Sequence, residues 1–117
     1  MGYFENLEFK CPKRPLRKQE IYLLKCLLKD VKEYSLNLEN QMVIEMVDDG
    51  GMGSLYFVSK YNPKERNFYE RIAEKEFKDS DNIPILVGIN IDQFFDLFEL
   101  DIWKVDNNPV ILFPTCK

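Results

Sequence analysis

The side chains best able to do chemistry in this chain are carboxylates. Glu99, Asp101 and Trp103 alternate along one apolar-patterned run, so on a strand all three project from one side. Asn90 and Asp92 share a side of the preceding run and would face them across a hairpin. Glu45, on an earlier strand-like run, is a further source of charge for the same surface. Clustered carboxylates bind hard cations such as Mg²⁺ or Ca²⁺, or hold one raised pKa for acid–base work. The plainer reading is a solvated sheet surface with Arg71 and Lys75 nearby, which alternation on a half-exposed strand produces readily. The sequence contains no histidine, which removes the commonest base and metal ligand.

More specific chemistries fail on spacing. In ELDIWK (99–104) a metal-dependent nuclease would need an acid two residues before Lys104; Ile102 stands there, and Asp101 falls on the face opposite Lys104. DSDN (79–82) opens like a calcium loop, but the sixth loop position is Pro84 instead of Gly and the twelfth is Asn90 instead of Glu. DDGGMGS (48–54) suggests a phosphate cradle, yet it lacks GK[ST], leads into a strand and carries two Asp, so a hairpin turn is expected. Phe94 and Phe95 read equally as a partner-binding pair at a loop tip and as caps folded onto the core. Cys11, Cys26 and Cys116 are odd in number and far apart, with no CxxC. Neither a disulfide framework nor a zinc site is expected, and Cys26 reads as a small core residue. No catalytic residue, metal ligand or cofactor is assigned.

The elements that must position these groups are a helix and then strands. Residues 1–14 form an arm whose Tyr3, Phe4, Leu7 and Phe9 suit an added strand. Pro15 suits the first turn of a helix over 16–34, where Ile21, Leu24, Leu28 and Val31 recur at three and four. The period then changes to two. Strands are expected at 42–47 and 55–60 around a Gly-rich turn, at 83–91 and at 98–103. Residues 66–78 are helical by composition; the turn and strong strand that follow favour a strand. Val110 to Phe113 is a last apolar run that must be covered. The whole is one α+β domain over 1–117, with an N-terminal amphipathic helix on a mostly antiparallel sheet of about five strands.

Composition bounds the function classes. The 117 residues suit one domain, and 45% hydrophobic with 31% charged residues excludes disorder. No run nears the ~20 apolar residues of a membrane helix. The beginning of the chain shows neither a secretory nor a myristoylation signal, so a cytoplasmic location is expected. Net charge is −4, divided as +3 over residues 1–34 and −7 over the rest. The basic run Lys10 to Lys18 is set against an acidic body that would repel phosphate, so neither nucleic acid nor membrane is expected as a partner.

Four segments together resemble a known family: DDGGMGSL (48–55), FKDSDN (77–82), INID (89–92) and above all LFELDIWKVD (97–106) with its following Pro. The resemblance is to an uncharacterised bacterial domain family of unknown function and spans roughly residues 15–114. That family usually has Gly where Asn82 stands, and often a Gly in place of Phe94 or Phe95. It implies a fold and no activity. Small acidic α+β domains are frequent among bacterial toxin-immunity proteins, an analogy of size and fold. The expected function is a small protein-binding module that turns Glu99, Asp101 and Trp103, with Glu45, toward a partner with a basic surface. The alternatives are a homo-oligomeric structural domain joined through an open sheet edge, and a carboxylate-based metal-binding protein or enzyme.

Overall fold

A computed structural model describes residues 12–116 of the chain. The arm residues Tyr3, Phe4, Leu7 and Phe9, and Cys11, lie outside the described residues. The elements are β1 (Arg14–Pro15), α1 (Lys18–Leu27), β2 (Met42–Glu45), β3 (Leu55–Phe57), β4 (Phe68–Lys78), β5 (Pro84–Asp92) and β6 (Leu97–Lys104), with 3₁₀ turns between some of them. They form one six-stranded antiparallel sheet in the order β1-β2-β3-β6-β5-β4. The class is α+β. The sheet has six described strands because Arg14–Pro15 adds one against Met42 and Val43.

The helix is shorter than its apolar spacing predicts. Pro15 belongs to β1, and α1 starts two residues after Leu16, where the Glu20 carboxylate accepts the Arg17 N–H at 2.7 Å. It closes at Leu28, whose N–H bonds Leu24 O at 2.8 Å, and an i→i+3 bond from Val31 to Leu28 then tightens the chain into a turn. Leu28, Val31 and Tyr34 still reach the core. The three-and-four spacing therefore records a shared face that continues beyond the last helical turn.

Alternation divides the sheet into two faces. Val43, Phe57, Leu100, Ile102, Val87 and Ile89 are almost wholly buried in one cluster with Leu23 and Leu24 of α1 and its C-cap Leu28. Each such side chain stabilises the fold by about 1.5–3 kcal/mol on transfer from water. Strand β4 obscures its period because it carries two extra residues. Its pairing passes from Phe68 to Glu70 and from Arg71 to Ala73 for single steps on β5, so Tyr69 and Ile72 are unmatched. Phe98 is the extra residue of β6 in the same sense, where Asn90 pairs with Glu99 but Ile91 with Leu97.

Two sequence expectations are corrected beyond the helix. The run 110–113 is a strap: Val110 and Phe113 pack on the core, whereas Ile111 and Leu112 are 64% and 65% exposed. Their N–H groups bond Asp79 at 2.7 and 2.9 Å, and this anchoring fixes which side chains turn inward. Cys26 is a disulfide half-cystine bonded to Cys116, with Cα atoms 6.2 Å apart. The strap carries Cys116 back to the helix, an encounter invisible at a separation of 90 residues.

Candidate functional site

The side chains of Glu99, Asp101 and Trp103 do share one face, opposite the helix. Pairing across the sheet sets Glu99 beside Asn90 and Tyr56, Asp101 beside Gly88, and Trp103 beside Leu86. Trp103 is 43% exposed, and its indole N–H donates to Asn107 Oδ1 at 2.8 Å, which fixes the ring orientation. Asn107 itself stands in a left-handed turn, at a φ of 64°. Glu74 and Glu76 of β4 pair with Gly88 and Leu86 and so extend the same face. The face is exposed at Glu74 and Glu76 of β4 and at Trp103 of β6, whereas Gly88 and Asn90 of β5 are buried and, on β2, Ile44 is fully buried.

Arg71 crosses the centre of this surface. Its guanidinium bonds Asn90 Oδ1 at 2.9 Å, Glu74 at 2.9 Å and Asp101 at 2.6 Å, while Asn90 donates to Glu99 at 3.1 Å. Burial works to lower its pKa, but the Glu74 and Asp101 carboxylates together outweigh that and raise it above its ordinary value. The guanidinium lies flat over Gly88, where a Cβ would come within 2.4 Å of Arg71 Cζ. The acids are thus held in a polar network around one cation, with Glu76 and the indole at its border.

Other sequence candidates lie elsewhere. Glu45 belongs to the opposite face, since it pairs with Leu55, and it is bound by Arg14 at 2.8 Å and Arg17 at 3.3 Å. Arg14 also chelates buried Glu20 at 2.8 and 2.9 Å. Burial works to raise the Glu20 pKa, but bonds from Arg14 and the Arg17 N–H bring it below its ordinary value. A cleft of about 370 Å³ opens beside these residues and the glycine turn. Its charges are already matched, and Asp49 accepts the N–H groups of Gly51, Met52 and Ser54. The turn therefore cradles its own carboxylate where a phosphate would have to sit.

Asp92 is not a surface acid. It is fully buried, bonds Arg66 Nε at 2.6 Å and accepts the N–H groups of Phe94 and Asp96. Arg66 also donates to Phe57 O and Leu97 O, and stacks over the Phe98 ring at 5.0 Å. Phe94 folds back on Tyr61, ring centroids 4.0 Å apart. Phe95, at a φ of 64°, is 58% exposed and meets Tyr69 edge-on at 5.4 Å. The phenylalanine pair thus divides, Phe94 half-buried against Tyr61 and Phe95 exposed.

Sequence reasoning missed a second internal ion cluster. Buried Lys104 bonds Asp81 at 2.6 Å and Asp79 at 3.0 Å. Burial alone would lower the Lys104 pKa, and the two carboxylates reverse that. The only available signal was Lys104 falling on the apolar side of its strand. Among the described residues, no group of three or more His, Cys, Asp or Glu side chains is placed to hold a metal ion.

Fold and surface together define a small α+β domain with one sheet face closed by a helix and the other partly open. The family model for a domain of unknown function, DUF6984, matches residues 13–114, and the chain belongs to that family. No curated protein and no solved structure matches the chain.

Proposed function

We propose that the domain is a protein-binding module that presents the outer face of β4, β5 and β6 to a partner with a basic surface. The observation that carries this reading is Trp103, a large aromatic held in a fixed orientation on an open face among Glu74, Glu76, Glu99 and Asp101. A rigid exposed ring surrounded by polar groups is the usual make-up of an interface anchor, and the excess of carboxylates steers toward cations. Phe95 and Tyr69 lie beyond the main patch and are not required. A toxin-immunity role, in which the basic partner is a toxin, is the particular form of this reading; the acidic body and small size support it by analogy.

The test is capture from the native host by immobilised domain, followed by binding measurements with the purified partner. Trp103→Ala is expected to weaken that complex by ~2 kcal/mol or more, as truncation of a central aromatic does. Its thermal unfolding should stay near that of the parent chain. Equal recovery of the partner by both proteins removes the reading.

A further inference from the structure

We infer that the free edge of β4 is a self-association edge, on which a second copy of this chain pairs antiparallel about a two-fold axis between Ile72 and Ala73. Strand β4 is the longest in the sheet, with 11 residues, and ends the strand order, so it is paired on one side only among the described residues. A long open edge is a template for another strand unless something repels it. Like charges along an edge repel a second copy. Here the central residues Glu70, Arg71, Glu74 and Lys75 mix the signs.

The signs are arranged to complement themselves. A two-fold axis perpendicular to the sheet keeps each face on its own side, so residues brought opposite one another must share a face. Pairing with β5 puts Glu70, matched to Ile91, and Lys75, matched to Val87, on the helix side. Arg71, matched to Asn90, and Glu74, matched to Gly88, lie on the outer side. When Ile72 stands opposite Ala73 of the second copy, Glu70 meets Lys75 and Arg71 meets Glu74, each twice by symmetry. The extra residue at 72 is what makes this possible; in a regular strand, residues separated by an odd number lie on opposite faces. Displaced by one residue in one direction, the register sets Glu70 against Glu76 and Arg71 against Lys75. Displaced in the other, it sets Glu70 against Glu74. In both, the residues set opposite one another lie on different faces, so neither displaced register forms these ion pairs.

Arg71 and Glu74 already bond each other within the chain, so the pair available to a second copy is Glu70 with Lys75. Among the described residues Glu70 has no ion pair, and Lys75 has only a ring contact with Phe77 at 5.9 Å. At the axis half-buried Ile72 would meet Ala73 of the second copy, and Ala73 its Ile72. Because the faces are preserved, both Trp103 rings would lie on the same side of a continuous twelve-stranded sheet. The inference stands apart from the proposed binding role and does not use it.

Sedimentation equilibrium from micromolar to millimolar chain concentration tests this edge. The parent chain is expected to dimerise. Lys75→Glu sets Glu70 against a second acid at two places and should raise the dimer dissociation constant at least about tenfold; Glu70→Lys should do the same by an independent substitution. The double variant Glu70→Lys/Lys75→Glu exchanges the charges and should return to within about threefold of the parent. Circular dichroism on each variant separates lost pairing from lost folding. A parent chain that stays monomeric at millimolar concentration, or a double variant no better than the singles, overturns the inference.

Discussion

At the scale of single residues, most of the acids that invited a chemical reading are spent on holding the chain. Asp92 locks the turn into β6 through Arg66, Asp49 closes the glycine turn, and Glu20 caps α1 while anchoring Arg14. Asp79 does most: it takes the N–H groups of Ser80, Ile111 and Leu112 together with the Lys104 ammonium. Burial pushes the Asp79 pKa upward, but these donors outweigh it and hold the carboxyl well below the usual carboxylate range. A folded pKa below the unfolded one gives stability that is complete above about pH 4 and lost as pH falls toward the folded value. Asp79→Asn should therefore lower the melting temperature at pH 7, and the gap to the parent chain should narrow by pH ~3. Thermal unfolding at the two pH values measures this; a gap independent of pH would show that the charge contributes nothing.

At the scale of elements, β4 shows why a strand can be hard to read. Its two extra residues, Tyr69 and Ile72, break the two-residue period, and its many Glu, Lys and Arg residues imitate a helix. Regular pairing on β5 and β6 explains why Glu99, Asp101 and Trp103 were legible as one face. The cation between them was legible only as a neighbour, because Arg71 reaches across two strands and needs the gap at Gly88. A methyl group there must displace the guanidinium. Gly88→Ala is expected to cost about 1 kcal/mol in the parent chain, of the order of one or two partly exposed ion pairs. In an Arg71→Ala background the same change should be neutral or slightly stabilising, since alanine restricts the unfolded chain. Urea unfolding of the four proteins decides it; an equal cost in both backgrounds would mean that Arg71 is not the reason for the glycine.

At the scale of the whole molecule, the C-terminal end of the described chain is drawn back to the helix. The strap 110–116 is held by Gly51, by Asp79 and by the bond between Cys116 and Cys26. A covalent loop of 90 residues lowers the entropy of the unfolded chain, by about 4–5 kcal/mol in the chain-entropy description. The Cys26→Ser/Cys116→Ser variant should lose stability by up to that amount when unfolded by denaturant without reductant. In a reducing compartment the parent chain should resemble the variant, because cytosolic reductants keep such pairs as thiols. Thiol labelling of the folded, air-oxidised protein that finds both cysteines free would refute the covalent clasp.

What the sequence determined by itself was periodic and local. The switch from a three-and-four spacing to a spacing of two set α before β, the Gly and Asp-Asn segments set the turns, and alternation put Glu99, Asp101 and Trp103 on one side. What only the tertiary structure decided was non-local. The Arg66–Asp92 and Lys104–Asp79 pairs, the position of Arg71 over Gly88 and the meeting of Cys26 with Cys116 join residues 17 to 90 positions apart. A one-dimensional pattern records which way a side chain points. It does not record which charge lies across the sheet, because that depends on strand order and on the single extra residues that shift register.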